Sequence, residues 1–309
     1  MKSFSSSRGV LLPVFLGVMV VCLLLMNSEY LPGASSSSQQ QTSPPALTIE
    51  KIKDNIYIAR GGSGANCYFL TGKKSNILFD AKMTSESCQE MLTEFKKIST
   101  LSVSLVILTH SDGDHVNGLM GLPAKIKIIG HKKTAGEMLR ATEQTPELKD
   151  YLPSETYQDS KTFSFEGTKI ELKHYGPAHT SGDTVIYFPK SRVAIVGDLI
   201  FIGRDPLIHR HKNGSYQGLI KTLESMLAYK PGIETFLSGH ANPATRKDVE
   251  DLLTAIKEKE ARIKELINQG KSLEEIMAAF GLEPAPVQPG RTRRFSLVEI
   301  IYLELNEKK

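Results

Sequence analysis

Two histidines and two aspartates fall within six residues, His110, Asp112, Asp114 and His115, directly behind an apolar run that rises to Leu108. Imidazole nitrogens and carboxylate oxygens are the donors that divalent cations take from proteins. Three further segments carry residues of the same kind. "YGPAHTSGD" holds His179, Gly197 is followed by Asp198, and Ser238-Gly239 is followed by His240. Each of these follows a strand-like run: Leu101–Thr109, Lys169–His174, Arg192–Val196 and Thr235–Leu237. Strand ends of an open sheet present their residues to a shared crevice. Carboxylates beside buried strands are costly when uncompensated, and a divalent cation removes that cost. Each feature alone has an ordinary reading. A single histidine after a strand is normally satisfied or solvated, as expected for His131, His174, His209 and His211, and a single Gly-Asp is a turn. Four strand ends carrying His and Asp together read as a metal centre.

The elements that must position these residues alternate between strand and helix. Strand patterns also occupy Ile56–Ile58, Cys67–Leu70, Ile77–Phe79, Ile126–Ile129 and Thr184–Phe188. Helical spacing covers Thr84–Ile98, with Thr84 or Ser85 as cap, and Tyr216–Ala228. Thr134–Gln158 reads as a helical insertion. Beyond Thr245 the pattern is helical: Val249–Ile267 is amphipathic, Ser272 and Glu275 form a capping box, and an apolar segment runs from Phe295 to Leu303. The class is α/β or α+β, with sheets covered by helices.

The ordered set His110-x-Asp112-x-Asp114-His115, then His179, Asp198 and His240, together with the glycine-rich start and "AHTSGD", resembles the metallo-β-lactamase superfamily. The resemblance covers about residues 50–245. It implies a four-layer αββα sandwich with a dinuclear metal site at one edge. It also implies a first metal held by His110, Asp112 and His179, a second held by Asp114, His115 and His240, and Asp198 bridging them. Asp114 is then the candidate catalytic residue, passing a proton to the leaving group. The implied function is hydrolysis by metal-bound hydroxide of an amide or lactam, ester or lactone, or thioester bond in a small molecule. No GxSxG nucleophile elbow competes with it. One position departs from the pattern, because members usually carry histidine where this chain has Asp112. Zinc is the first expectation for both ions, and the extra carboxylate lets iron or manganese compete. The same carboxylate opens an alternative, a non-haem di-iron oxidoreductase on this fold. Flavodiiron oxidoreductases place a carboxylate there too, but roughly 65 residues after Thr245 are too few for their flavodoxin domain. Arg204, His209 and His211, in the run Phe201–Gly214, are candidate substrate-anion contacts.

The first 46 residues are organised differently. Lys2 and Arg8 precede an uncharged stretch, Gly9–Met26, long enough for a short membrane span. Positive charge on that side keeps the N-terminus in the cytoplasm and exports the rest to the periplasm or cell surface. Residues 1–34 therefore read as a signal anchor or signal peptide, and 35–46 as a Ser/Gln/Pro-rich tether. Residues 47–245 form the metallo-β-lactamase-like domain, and 246–309 a helical extension packing on it. The balance of 38 basic against 34 acidic residues, with no basic stripe, argues against a nucleic-acid partner. Cys67 and Cys88 lack close paired spacing, which leaves a single disulfide between them open. Nothing in the sequence sets an oligomeric state.

Overall fold

The computed structural model describes residues 44–283 and 293–307. The expected span at residues 9–26 and the tether up to residue 43 lie outside the described residues. Among those described, no helix is long and apolar enough to cross a membrane.

Two sheets make up the fold. The first contains β1 (Thr48–Lys53), β2 (Ile56–Arg60), β3 (Cys67–Thr71), β4 (Asn76–Phe79), β5 (Val103–Ile107), β6 (Lys127–His131) and β7 (Glu155–Tyr157), in that spatial order. Its first four strands run as an antiparallel meander; β4 to β7 are parallel. Helix α1 (Ser85–Phe95) makes the crossover from β4 to β5, with Thr84 accepting from the Ser87 N–H at its start. Helix α2 (Gly113–Val116) follows β5 and α3 (Lys132–Ala141) follows β6.

The second sheet runs β8 (Ser160–Phe165), β9 (Thr168–Lys173), β10 (Val185–Phe188), β11 (Val193–Gly197), β12 (Thr235–Ser238) and β13 (Ala244–Thr245). Only β11 and β12 are parallel, joined through α4 (Tyr216–Ala228). Helices α5 (Arg246–Asn268), α6 (Leu273–Ala279) and α7 (Leu297–Asn306) follow, each opened by a capping box.

Side-chain alternation divides the apolar residues into three cores. Ile58, Phe79, Ile107, Ile186, Ile195 and Leu237 pack between the two sheets. On the outer face of the first sheet, Phe69 and Val106 meet Met91 and Phe95 of α1 and Met138 of α3. On the outer face of the second, Val196 and Phe236 meet Leu223 of α4 and Val249, Ile256 and Ile300 of the C-terminal helices. β10 and β11 are buried along their whole length, and β5 from Leu105 onward, which is why these stretches read as apolar runs.

The structure departs from the sequence expectation in places. Thr134–Gln158 is not one helical insertion: α3 ends at Ala141, a 3-10 turn follows at Pro146–Tyr151, and β7 extends the first sheet. Cys67 and Cys88 are buried free thiols. Burial pushes the Cys67 thiol up to about 11 and the Cys88 thiol to about 12, so both stay protonated.

Candidate metal centre

Both sheets deliver ligand-type residues to one edge. β5 ends at Ile107; His110 follows, and the chain then turns into α2, which carries Asp114 and His115. His179 lies in the β9–β10 loop, tied to the end of β5 by the Thr184 N–H donating to the Thr109 carbonyl at 2.8 Å. Asp198 follows Gly197, whose φ of +53° is left-handed and whose added Cβ would meet the Thr109 hydroxyl at 2.7 Å. His240 follows β12. All seven residues named from the sequence come together in three overlapping groups, His110/Asp112/His179, His110/His115/Asp198 and Asp114/His115/His240. Within each group the donor atoms lie within 4.8 Å of one another.

Each buried imidazole is held by its far nitrogen. His115 Nδ1 lies 2.8 Å from Asp80 Oδ2, and His179 Nδ1 lies 2.7 Å from the Leu207 carbonyl. His110 Nδ1 is 2.9 Å from the Thr109 hydroxyl, which itself donates to Asp80 at 2.7 Å. With Nδ1–H used outward in each case, the Nε2 lone pairs face inward. Asp80 was not singled out from sequence, although it too closes a buried strand, β4.

The inner atoms fit a divalent cation. Among the described residues, His110 Nε2, His115 Nε2 and Asp198 Oδ1 are buried without a hydrogen-bond partner. His115 Nε2 and Asp198 Oδ1 are 3.2 Å apart but not aligned as a hydrogen bond. Unpartnered buried polar atoms are rare because each costs roughly 1–3 kcal/mol. Three of them converging as nitrogen and oxygen donors is the arrangement expected of a metal site.

The electrostatics are those of carboxylates balanced by imidazolium. Burial disfavours charge on His179, yet the Asp112 carboxylate lifts it to about 9. Hydrogen bonding to Asp114 and Asp198 lifts His240 to about 9. Against its own burial, His115 is raised well above its usual range by Asp198 and Asp80. Burial and the neighbouring His115 push His110 well down. Asp198, despite burial, is held well below the carboxylate range by His115 and His240.

Asp112 occupies the cap position of α2 but makes no side-chain capping bond. Its Oδ1 pairs with Lys212 Nζ at 2.7 Å, and its Oδ2 lies 2.8 Å from His209 Nε2. His209 is therefore not a solvated loop residue, and Lys212 is a site residue the sequence did not point to. His131 and His174 behave as ordinary satisfied side chains: their rings stack at 3.9 Å, and each is hydrogen-bonded to a backbone carbonyl. Arg204 lies over the Phe201 ring at 4.3 Å.

The sequence pattern of the metallo-beta-lactamase superfamily matches residues 60–240. The metallo-beta-lactamase type 2 of Elizabethkingia meningoseptica is 24% identical over 225 residues, spanning 69% of this chain and 86% of that protein. Among solved structures, a metallo-beta-lactamase from Pontibacter korlensis superposes with a TM-score of 0.59 at 18% identity, over 68% of this chain and 99% of its own. A stereoselective inverting sec-alkylsulfatase, Pisa1 from Pseudomonas sp., gives 0.64 at 16% identity, over 84% of this chain and 50% of its own. Identities this low speak for the fold alone, but the family pattern spans more than half of the sequence. The chain belongs to the metallo-beta-lactamase superfamily.

Proposed function

We propose that this αββα-sandwich protein is a dinuclear metal-dependent hydrolase that cleaves an amide or lactam, ester or lactone, or thioester bond of a small molecule. The observation that carries this reading is the convergence of three buried, unpartnered donors, His110 Nε2, His115 Nε2 and Asp198 Oδ1. One ion would be held by His110, Asp112 and His179, and the other by Asp114, His115 and His240, with Asp198 facing both. Bound there, two zinc ions supply Lewis acidity toward a carbonyl oxygen and lower the pKa of water.

The protein's own groups divide the remaining work. Asp80, Thr109 and the Leu207 carbonyl fix the imidazoles before substrate arrives, so no reorganisation is needed at the moment of reaction. Asp114 is the most accessible of the site carboxylates, with a side chain 23% exposed and its Oδ2 lying 2.8 Å from His240 Nε2. It is placed to accept a proton and hand it to the departing group. A cavity of about 570 Å³ opens beside His240, bounded by Arg60, Asn66, Ile202 and Asn242. This matches the size of a small-molecule site.

The di-iron alternative rested on the extra carboxylate at position 112. The Lys212 ammonium at 2.7 Å offsets that charge, which weakens the case for a harder metal. The test is metal analysis of purified protein, followed by lactam, lactone, thioester and alkyl sulfate substrates with and without chelator. Zinc-dependent turnover of one class is expected. Bound iron with oxygen consumption and no hydrolysis would overturn the reading.

A further inference from the structure

At position 112 this chain places an aspartate, and it brings an imidazole to that aspartate from elsewhere in the sequence. Asp112 Oδ2 lies 2.8 Å from His209 Nε2, 3.1 Å from His179 Nε2 and 3.8 Å from His110 Nε2. The His179 ring stands between the other two, its centroid 4.8 Å from each. Three imidazole nitrogens therefore surround one carboxylate oxygen, while Lys212 holds the other oxygen. The three nitrogens share Oδ2 as a neighbour, and an ion seated beside that oxygen would have three imidazoles around it, the donor set of a three-histidine zinc position.

The placement of His209 is built into the backbone. Its N–H donates to the His179 carbonyl at 2.8 Å, and two residues earlier the Leu207 carbonyl accepts from His179 Nδ1. The Gly214 N–H closes a 3-10 turn at Arg210–Lys212 onto the His209 carbonyl at 3.0 Å, and the Ser215 N–H donates to the Ala178 carbonyl at 2.8 Å. Helix α7 clamps the same loop from outside. Glu304 accepts from the Ser215 hydroxyl and the Tyr216 N–H, and Glu307 pairs with Arg210. A side chain only 13% exposed, at the end of so many tethers, is not a surface histidine that happens to drift inward.

We propose that His209 supplies the third imidazole of the first metal position, beside His110 and His179. Asp112, charge-balanced by Lys212, is left to offer only Oδ2 to the same ion. This rests on reading the site as a two-metal centre, and the experiment separates the two ideas. Zinc bound to the full-length chain is counted during graded chelator competition, for wild type and His209→Ala. Wild type should hold two equivalents. In the variant the equivalent at His110 and His179 should weaken by about 10–100-fold or more, with the other unchanged. Two equivalents retained at wild-type affinity overturn the proposal and leave the two-metal reading standing. A wild type that holds no zinc overturns both. Because a misfolded variant would also lose metal, a second measurement uses wild type alone: histidine-ring nitrogen NMR of the zinc-loaded chain. Metal-bound nitrogens are expected in His110, His115, His179, His209 and His240; their absence from His209 overturns the proposal.

Discussion

Gly239→Ala should disable the site through a single methyl group. Gly239 does not adopt a left-handed φ, so alanine brings no backbone strain there. Its Cβ, however, would lie 2.6 Å from His115 Cε1 and 3.1 Å from Nε2, and closer still to Asp198 Oδ1. Ordinary contact starts near 3.4 Å, so the His115 ring must retreat by nearly 1 Å. Nothing lets it do so cheaply. The ring is fully buried and tied to Asp80, which is itself tied to Thr109. The glycine cannot recede either, because its N–H donates to the Gly197 carbonyl at 2.9 Å and its carbonyl accepts from the Asn66 N–H at 2.7 Å. Metal–ligand distances tolerate only about 0.2 Å of error. A displacement of about 1 Å at reacting groups costs roughly 100-fold in rate. Overpacking costs the fold only about 1–3 kcal/mol. The expected result is therefore loss of zinc and an approximately 100-fold fall in kcat/KM, with a folded protein by thermal melt. Gly167→Ala serves as control: its φ is +89° and nothing lies within 4 Å of its added Cβ, so it should lose stability and keep zinc. Two zinc ions and near-normal turnover in Gly239→Ala would refute the placement of His115 and Asp198 in the metal site.

Asp198→Asn should reduce bound metal to one ion or none and cut turnover by orders of magnitude, because Asp198 lies 3.2 Å from His115 and 3.3 Å from His240. Metal analysis showing two ions and normal rates would remove its bridging role. In chelator-treated protein, the raised His179 and His240 contribute stability that is full below about pH 6.5. That stability is lost as pH rises through about 9. A divalent cation ligated by these imidazoles would displace the same protons, so its apparent affinity should climb from about pH 7 to about 9 with measurable proton release; a flat profile would contradict the pairing. Asp112→His alone should weaken the first ion, since it sets a cationic Lys212 against a cationic metal, and adding Lys212→Met should restore binding. Equal metal affinity in the single and double variants, by chelator competition, would show that Lys212 does not balance Asp112.

What the sequence made legible was whatever local pattern encodes. β10, β11 and the second half of β5 read as strands because both faces are buried, and the caps at Thr84 and Ser272 read as helix starts because capping is a local hydrogen-bond pattern. β8 escaped because its only large apolar residues, Phe163 and Phe165, leave a half-exposed alternation. β1 escaped for the same reason, being partly exposed along its length. β7 has only three residues and depends on pairing with β6, which no local pattern reports. The seven ligand-type residues were legible because each stands beside a strand end. Asp80 satisfies the same rule at the end of β4 and could have been found by it.

Lys212 could not, and His209 stood out only as a contact for a substrate anion. Lys212 meets Asp112 across 100 positions of chain, from a turn with no strand before it. Their effect reverses one sequence-based expectation. Read alone, an aspartate in place of histidine adds a negative charge at the first metal, favours harder ions and makes bound water less acidic. With the Lys212 ammonium at 2.7 Å from one oxygen, the added charge is offset where it arises. Removing one member of such a partly buried pair strands the other at a cost of several kcal/mol. Position 112 therefore cannot be judged by its own side chain. Asp112, Lys212 and His209 form one linked group, and a metal bound beside them would respond to the charge and donor count of all three.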